Sequence, residues 1–284
     1  MGVSKLSKQF FGLLPSSKHA PAVTQWRLKL HSLQLGRLSL ALISAWVAVM
    51  IAVPIVKWTL GEEAIYPLLS LSVVLQASAV FSILYSAWGS WRTLRVAAIV
   101  IVVTFAAEAL GSRTGFPFGR YDYTDRLQPQ LFHVPLLIPL AWFMMAPSAW
   151  AVANRYRRKA WQFIVVSALA LVAWDLLLDP QMVHWDLWQW ESVGLYFGIP
   201  LSNYAGWFLV AVILTWLVRP SNLPLIPLLI VFSITWFLEV FGLAFFWGMP
   251  GPAIIGGLAM GFFGWLGWRA AIRASREQES GSSS

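Results

Sequence analysis

The stretch "AWQFIVVSALALVAWDLLLDP", residues 160–180, decides the class of this chain. From Ala160 to Leu178 the apolar run is broken only by Gln162, Ser167 and Asp175, and about 18 apolar residues suffice for a helix to cross a bilayer. Reading outward, comparable runs occupy about 38–56, 64–88, 94–111, 131–152, 201–218, 223–247 and 252–272. Of the 284 residues 58% are hydrophobic and 11% charged, whereas a soluble domain is about a quarter charged. The pattern predicts an all-α polytopic integral membrane protein, a bundle of about eight transmembrane helices. The count is seven to eight, because the third run is short and carries Glu108 and the eighth is glycine-rich. Residues 38–272 read as one transmembrane domain, preceded by a basic cytoplasmic arm over 1–37 and followed by a polar, disordered tail over 273–284.

Several chemistries are set aside by the residue inventory. Cysteine is absent, which removes disulfides, iron–sulfur clusters and thiol nucleophiles. His19, His31, His133 and His184 form no HxxxH or HxxH pair, no lysine lies inside an apolar run, and no P-loop, GxGxxG or GxSxG occurs. No metal ligand set and no cofactor is expected. The net charge of +8 resolves into topology: with the N-terminus inside, 16 of the 20 basic residues fall on inner segments, as the positive-inside rule requires. Both termini are then cytoplasmic, in a bacterial cytoplasmic membrane, and attraction to anionic lipid accounts for the basic balance without nucleic acid.

The same orientation puts Glu108, Asp175 and Glu239 in the outer halves of the third, fifth and seventh runs. A carboxylate in hydrocarbon costs at least about 2.5–3.5 kcal/mol, so an embedded acid is a functional candidate by default. Asp175 and Asp179 stand at i and i+4 on one helical face, and Pro180 predicts that the helix ends near Asp179. Two carboxyls so close resist ionising together, which leaves one able to act as a general acid. Alternatively the pair binds Mg2+, caps a loop, or joins the other acids in pairing with Arg113, Arg120 or Arg126. The stretch "RTGFPFGRYDYTDRLQP", residues 113–129, emerges at the same face, as does the polar loop that leads into Asn203. Among the 18 tryptophans, Trp174, Trp185, Trp188, Trp190 and Trp207 cluster more densely than an interfacial belt needs, and indole faces can line a polyene groove or steady a carbocation. In the eighth run Ala253, Gly257 and Gly261 form a small-xxx-small ladder for close helix packing.

At "GSRTGFPFGRYDYTDRLQPQLFHVPLLIPLAWFMM" (111–145), "AWDLLLDPQMVHWDLWQW" (173–190) and "GLYFGIPLSNYAGW" (194–207) the chain resembles the carotenoid biosynthesis membrane-protein family that contains the carotenoid 1′,2′-hydratases, including the bisanhydrobacterioruberin hydratases. The resemblance implies addition of water across the terminal C1′,2′ double bond of an acyclic carotenoid end group, giving a tertiary alcohol without a redox cofactor or metal. It implies lycopene, a monocyclic carotene or a C50 relative as substrate. Carotenoid, water and membrane lipid are then the partners, with other carotenoid-biosynthesis enzymes as further candidates.

The residue roles are assigned from this sequence. Hydration needs a proton donor, for which Asp175 or Asp179 is the first choice and Glu108 and Glu239 the second, with Asp122 the acid nearest the loop. Phe116, Phe118, Tyr121 and Tyr123 are expected to face the polyene end as a polar lid, with Arg120 and Asp122 ordering water. Two other readings stay open. An intramembrane prenyltransferase would use "DLLLD" and "DYTD" to hold Mg2+ and a diphosphate; a carotenoid-binding or transport protein would use the aromatic groove alone.

Overall fold

A computed structural model describes residues 35–282, with backbone only over 275–282. Most of the basic arm over 1–37 therefore lies outside the described residues. Eight of the described helices are long and apolar enough to cross a membrane: α1 (Arg37–Leu60), α2 (Ile65–Trp88), α3 (Ser90–Thr114), α4 (Leu137–Ala153), α5 (Ala160–His184), α6 (Leu201–Val218), α7 (Leu225–Phe245) and α8 (Pro250–Ser282). The expected all-α membrane bundle is the observed fold. Helix α8 runs past the end of its apolar stretch, so the segment expected to be a disordered tail from 273 continues the helix to Ser282.

Helix α4 is the axis of the bundle and packs against α2, α3, α5, α7 and α8. Every residue from Ala141 to Ala153 is buried, as expected of a helix that is apolar all round. Lipid tails are as apolar as leucine, so helix association here rests on close packing and interhelical hydrogen bonds. The small-residue ladder of α8 serves the first: a Cβ at Gly257 would lie 2.9 Å from Val240 of α7, and one at Gly261 would meet Trp236 at 3.2 Å. For the second, Trp150 Nε1 donates to Thr215 Oγ1 (3.0 Å) between α4 and α6, and Gln76 Nε2 donates to Thr235 Oγ1 (3.0 Å) between α2 and α7. Such bonds contribute about 0.6 kcal/mol each on average.

Three local features depart from the sequence reading. Helix α5 does not stop near Asp179 but continues through Pro180 to His184. Proline removes the bond to the carbonyl four residues earlier, here Leu176, and the hydroxyl of Tyr196 donates to that oxygen at 3.0 Å instead. Burial raises the pKa of that hydroxyl, with Asp175 adding to the effect, so Tyr196 stays a donor. The run at 131–152 yields a helix only from Leu137, because strands β2 (Gln130–Leu131) and β3 (Val134–Pro135) form a hairpin first. Its two turn residues, Phe132 and His133, have φ of 53° and 67°, the left-handed pair that a tight two-residue hairpin needs. Finally, β1 (Tyr121–Tyr123) pairs antiparallel with β4 (Trp188–Trp190), joining the two polar loops into one cap over the bundle end.

Candidate active site

The cap is positioned by Phe118. Its ring sits in a notch between α3 and α6, where a Cβ on Gly111 would lie 2.7 Å and one on Gly206 2.6 Å from ring carbons. From that anchor the chain enters β1, whose alternation sends Tyr121 and Tyr123 inward and Asp122 outward. Opposite them, Trp190 pairs with Tyr121 and Trp188 with Tyr123, while Gln189 is exposed beside Asp122. The rings of Tyr121 and Trp190 are 5.0 Å apart and those of Tyr123 and Trp188 5.8 Å, so four aromatics form one wall.

Behind this wall lies a cage of buried acids. Glu108 accepts hydrogen bonds from Tyr121 Oη (2.5 Å), Tyr123 Oη (2.8 Å) and Trp142 Nε1 (3.2 Å). Asp179 accepts from Trp188 Nε1 (2.6 Å) and Asn203 Nδ2 (2.6 Å), and the same amide donates to Asp175 at 2.8 Å. Asn203 thus bridges the i, i+4 carboxyls that the sequence placed on one face. The indole of Trp207 stacks on Trp142 with centroids 3.9 Å apart and meets Trp174 edge-on. Glu108, Asp179, Asn203, Trp142, Trp188 and Trp207 share one cavity of about 30 Å3, room for a water. Asp175 is not on its wall and stands behind Asn203. The Tyr121 and Tyr123 hydroxyls are pushed far above the ordinary phenol range by burial and then by Glu108 beside them, so both stay protonated and donate.

The cage is the innermost of three adjoining spaces that together make up an apolar passage, neighbouring spaces sharing wall residues. Through Ile138, Ala141, Leu178 and Trp188 it shares walls with a chamber of about 90 Å3. Met50, Leu69, Gln181, Trp185, Leu238 and Glu239 in turn join that chamber to a groove of about 580 Å3 between α1 and α7. The groove's rim carries exposed Trp58, Phe237 and Phe241, so it opens on the apolar flank of the bundle.

Several expected site residues fall elsewhere. Glu239 lines the chamber and groove rather than the cage. Phe116 is 62% exposed and points away, and Arg120 and Asp122 are exposed on the outward face of the cap, because strand alternation and the Phe118 anchor turn them out. Trp185 lines the passage, not the cage, and Trp174 packs behind Trp207. None of the four embedded acids is paired with arginine among the described residues. Arg126 bridges Glu63 (2.8 Å) and Asp186 (3.2 Å) and donates to Tyr66, while Arg113 lies over the Phe132 ring. Trp142, Gln181 and Trp247 were missed. Trp142 is hidden in an all-apolar helix, but Gln181, a polar side chain after an acid pair, was a visible signal.

Fold and site together define a class: a polytopic membrane protein in which an apolar passage from the bundle flank ends on buried carboxyls walled by indoles and phenols. The chain belongs to the carotenoid biosynthesis protein family, whose sequence profile matches residues 68–263. Over 120 residues it is 33% identical to the bisanhydrobacterioruberin hydratase of Haloarcula japonica, an alignment covering 39% of this chain and 40% of that relative. It thus spans less than half of the relative's length. No solved structure matches the chain.

Proposed function

We propose that the protein is a carotenoid hydratase that adds water to the terminal C1′,2′ double bond of an acyclic carotenoid end group. The observation that carries this reading is the juxtaposition of a small, acid-lined, aromatic-walled cavity with an apolar passage that leads to it. A polyene end needs the passage, and a water needs the cage.

In this reading Asp179 in its protonated form delivers its proton to C2′ as the π bond breaks, leaving a tertiary cation at C1′. Two buried charges as close as Asp175 and Asp179 oppose each other, so one proton on the pair is the arrangement of least cost. The cation forms at the mouth of the cage, where the indole of Trp188, which lines both chamber and cage, steadies it. A water held in the cage attacks C1′ through oxygen and gives up a proton to Glu108, toward which three donors already converge. That proton returns to Asp179 across the cage, so the net change is alkene plus water to tertiary alcohol. General acid catalysis of this kind is worth about 100- to 10,000-fold.

The second acidic motif argues against a diphosphate site. Asp122 and Asp125 are exposed on the outside of the cap, turned away from buried Asp175 and Asp179, so the two motifs do not face one cavity. We also assign the termini to the cytoplasmic side of a bacterial cytoplasmic membrane, with the cap on the outer side, from the charge asymmetry. The test is expression in a lycopene-producing bacterial host grown without oxygen, with pigments separated by chromatography and weighed by mass spectrometry. A product one water heavier, lost in Asp179→Asn and Glu108→Gln at equal protein level, is expected. Unchanged lycopene, monocyclic and C50 pigments beside well-inserted protein would overturn the reading.

A further inference from the structure

The chamber outside the cage carries polar groups that the hydration steps do not use. Glu239 of α7 and Gln181 of α5 are both buried and line the junction of chamber and groove. In the amide orientation that satisfies both neighbours, Gln181 donates to Glu239 Oε2 at 2.8 Å and accepts from Trp247 Nε1 at 3.0 Å. The indole of Trp247 reaches this position because α7 has Gly242 there; a Cβ would lie 2.9 Å from Trp247 Nε1. Among the described residues no basic side chain lines the chamber, and its remaining wall is mostly apolar, with Ser72, Gln76 and Thr235 as further polar members.

Gln181, held by Trp247, meets one oxygen of the Glu239 carboxyl, but among the described residues no donor reaches the other, and a buried polar atom costs free energy unless a partner meets it. The ligand that meets it is an apolar chain bearing a hydroxyl, which donates to that oxygen while its carbons keep the aromatic wall. We propose that Glu239, held by Gln181 and Trp247, is a binding subsite for the hydroxyl of an oxygenated polyene. A tertiary alcohol formed at the mouth of the cage is the nearest such group, and withdrawing toward the groove brings it to Glu239. The inference rests on the carotenoid hydratase reading for the identity of that alcohol, and on the chamber alone for its preference for hydroxyl.

Equilibrium binding separates the two. Purified protein is titrated with lycopene and with its 1-hydroxy-1,2-dihydro derivative in detergent micelles, following quenching of tryptophan fluorescence by the polyene. The hydroxylated pigment is expected to bind about tenfold more tightly, a difference of about 1.4 kcal/mol. That preference is expected to vanish in Glu239→Leu, to weaken in the shape-preserving Glu239→Gln, and to persist in Asp179→Asn. Elution as a monodisperse peak and unchanged affinity for lycopene show that a variant is folded. Equal binding of the two pigments by the native protein would overturn the subsite. So would a preference that survives Glu239→Leu and disappears in Asp179→Asn, which would place the hydroxyl in the cage. Absence of any hydrated product from the native protein, with the binding preference intact, would sink the catalytic reading and leave the subsite standing.

Discussion

Replacing Asn203 by leucine tests the bridge on which the acid pair depends. Leucine has the branched heavy-atom skeleton of asparagine, with bulkier methyl ends and no donor, so both bonds, 2.8 Å to Asp175 and 2.6 Å to Asp179, disappear at a buried site. One hydrogen bond to a charged acceptor and one to a neutral one would amount to about 2–4.5 kcal/mol in a water-soluble protein. Interhelical bonds in a membrane average about 0.6 and reach about 1.7 kcal/mol, because the unfolded reference also finds partners. Among the described residues Asp175 has no hydrogen-bond donor other than Asn203, so the expected loss lies between these limits, at about 1–4 kcal/mol. Misplacing Asp179 by about an ångström would further lower the hydration rate about 100-fold. Thermal unfolding in detergent measures the first and pigment conversion the second. In a double-mutant cycle with Asp175→Asn, the two changes should couple by about 1 kcal/mol or more. A variant within about 0.5 kcal/mol and twofold of the native protein, with additive energies, would show that the amide does not hold the pair.

Two further outcomes follow from the cap. The folded-state pKa values of Tyr121 and Tyr123 are raised, so what their protonated forms contribute is fully present below the ordinary phenol value of about 10 and is lost only as pH rises beyond it. Absorbance titration of phenolate should accordingly give the same signal near pH 10 for the native protein and for Tyr121→Phe with Tyr123→Phe, while a smaller signal in the double variant would contradict the buried placement. Gly206→Ala puts a Cβ 2.8 Å from the Pro117 carbonyl oxygen as well as against Phe118; such overpacking costs about 1–3 kcal/mol. The cap should then show faster proteolysis within residues 115–136, as should Phe118→Leu on its own, and unchanged cleavage in both would remove Phe118 as its anchor.

The eight spans were legible because hydrocarbon selects long apolar runs, and the i, i+4 relation of Asp175 and Asp179 because helical geometry is local. What sequence hid was set by partners far along the chain. The passage of α5 through Pro180 depends on Tyr196 serving Leu176, and no local rule predicts that donor. The letters "YDY" and "WQW" do alternate with the period of a strand, but three residues set among apolar runs carry no more signal than a helix-connecting loop, and nothing local turns Asp122 outward. Glu239 looked equivalent to Glu108 because depth can be counted along a helix while position around a bundle cannot. The arginines of the outer loops found Glu63, Asp186 and Phe132 rather than the embedded acids, since those acids were already supplied by neutral donors.

The narrowing of the passage has a consequence for the order in which products appear. From groove to chamber to cage the space falls from about 580 to about 90 to about 30 Å3, so a long chain enters tip first and cannot slide through to present its other tip. A symmetric substrate must be released into the bilayer, turn end for end, and be captured anew. In the proposed reaction the one-end alcohol then accumulates before any two-end alcohol forms, and dilution of protein in lipid slows the second step as much as the first.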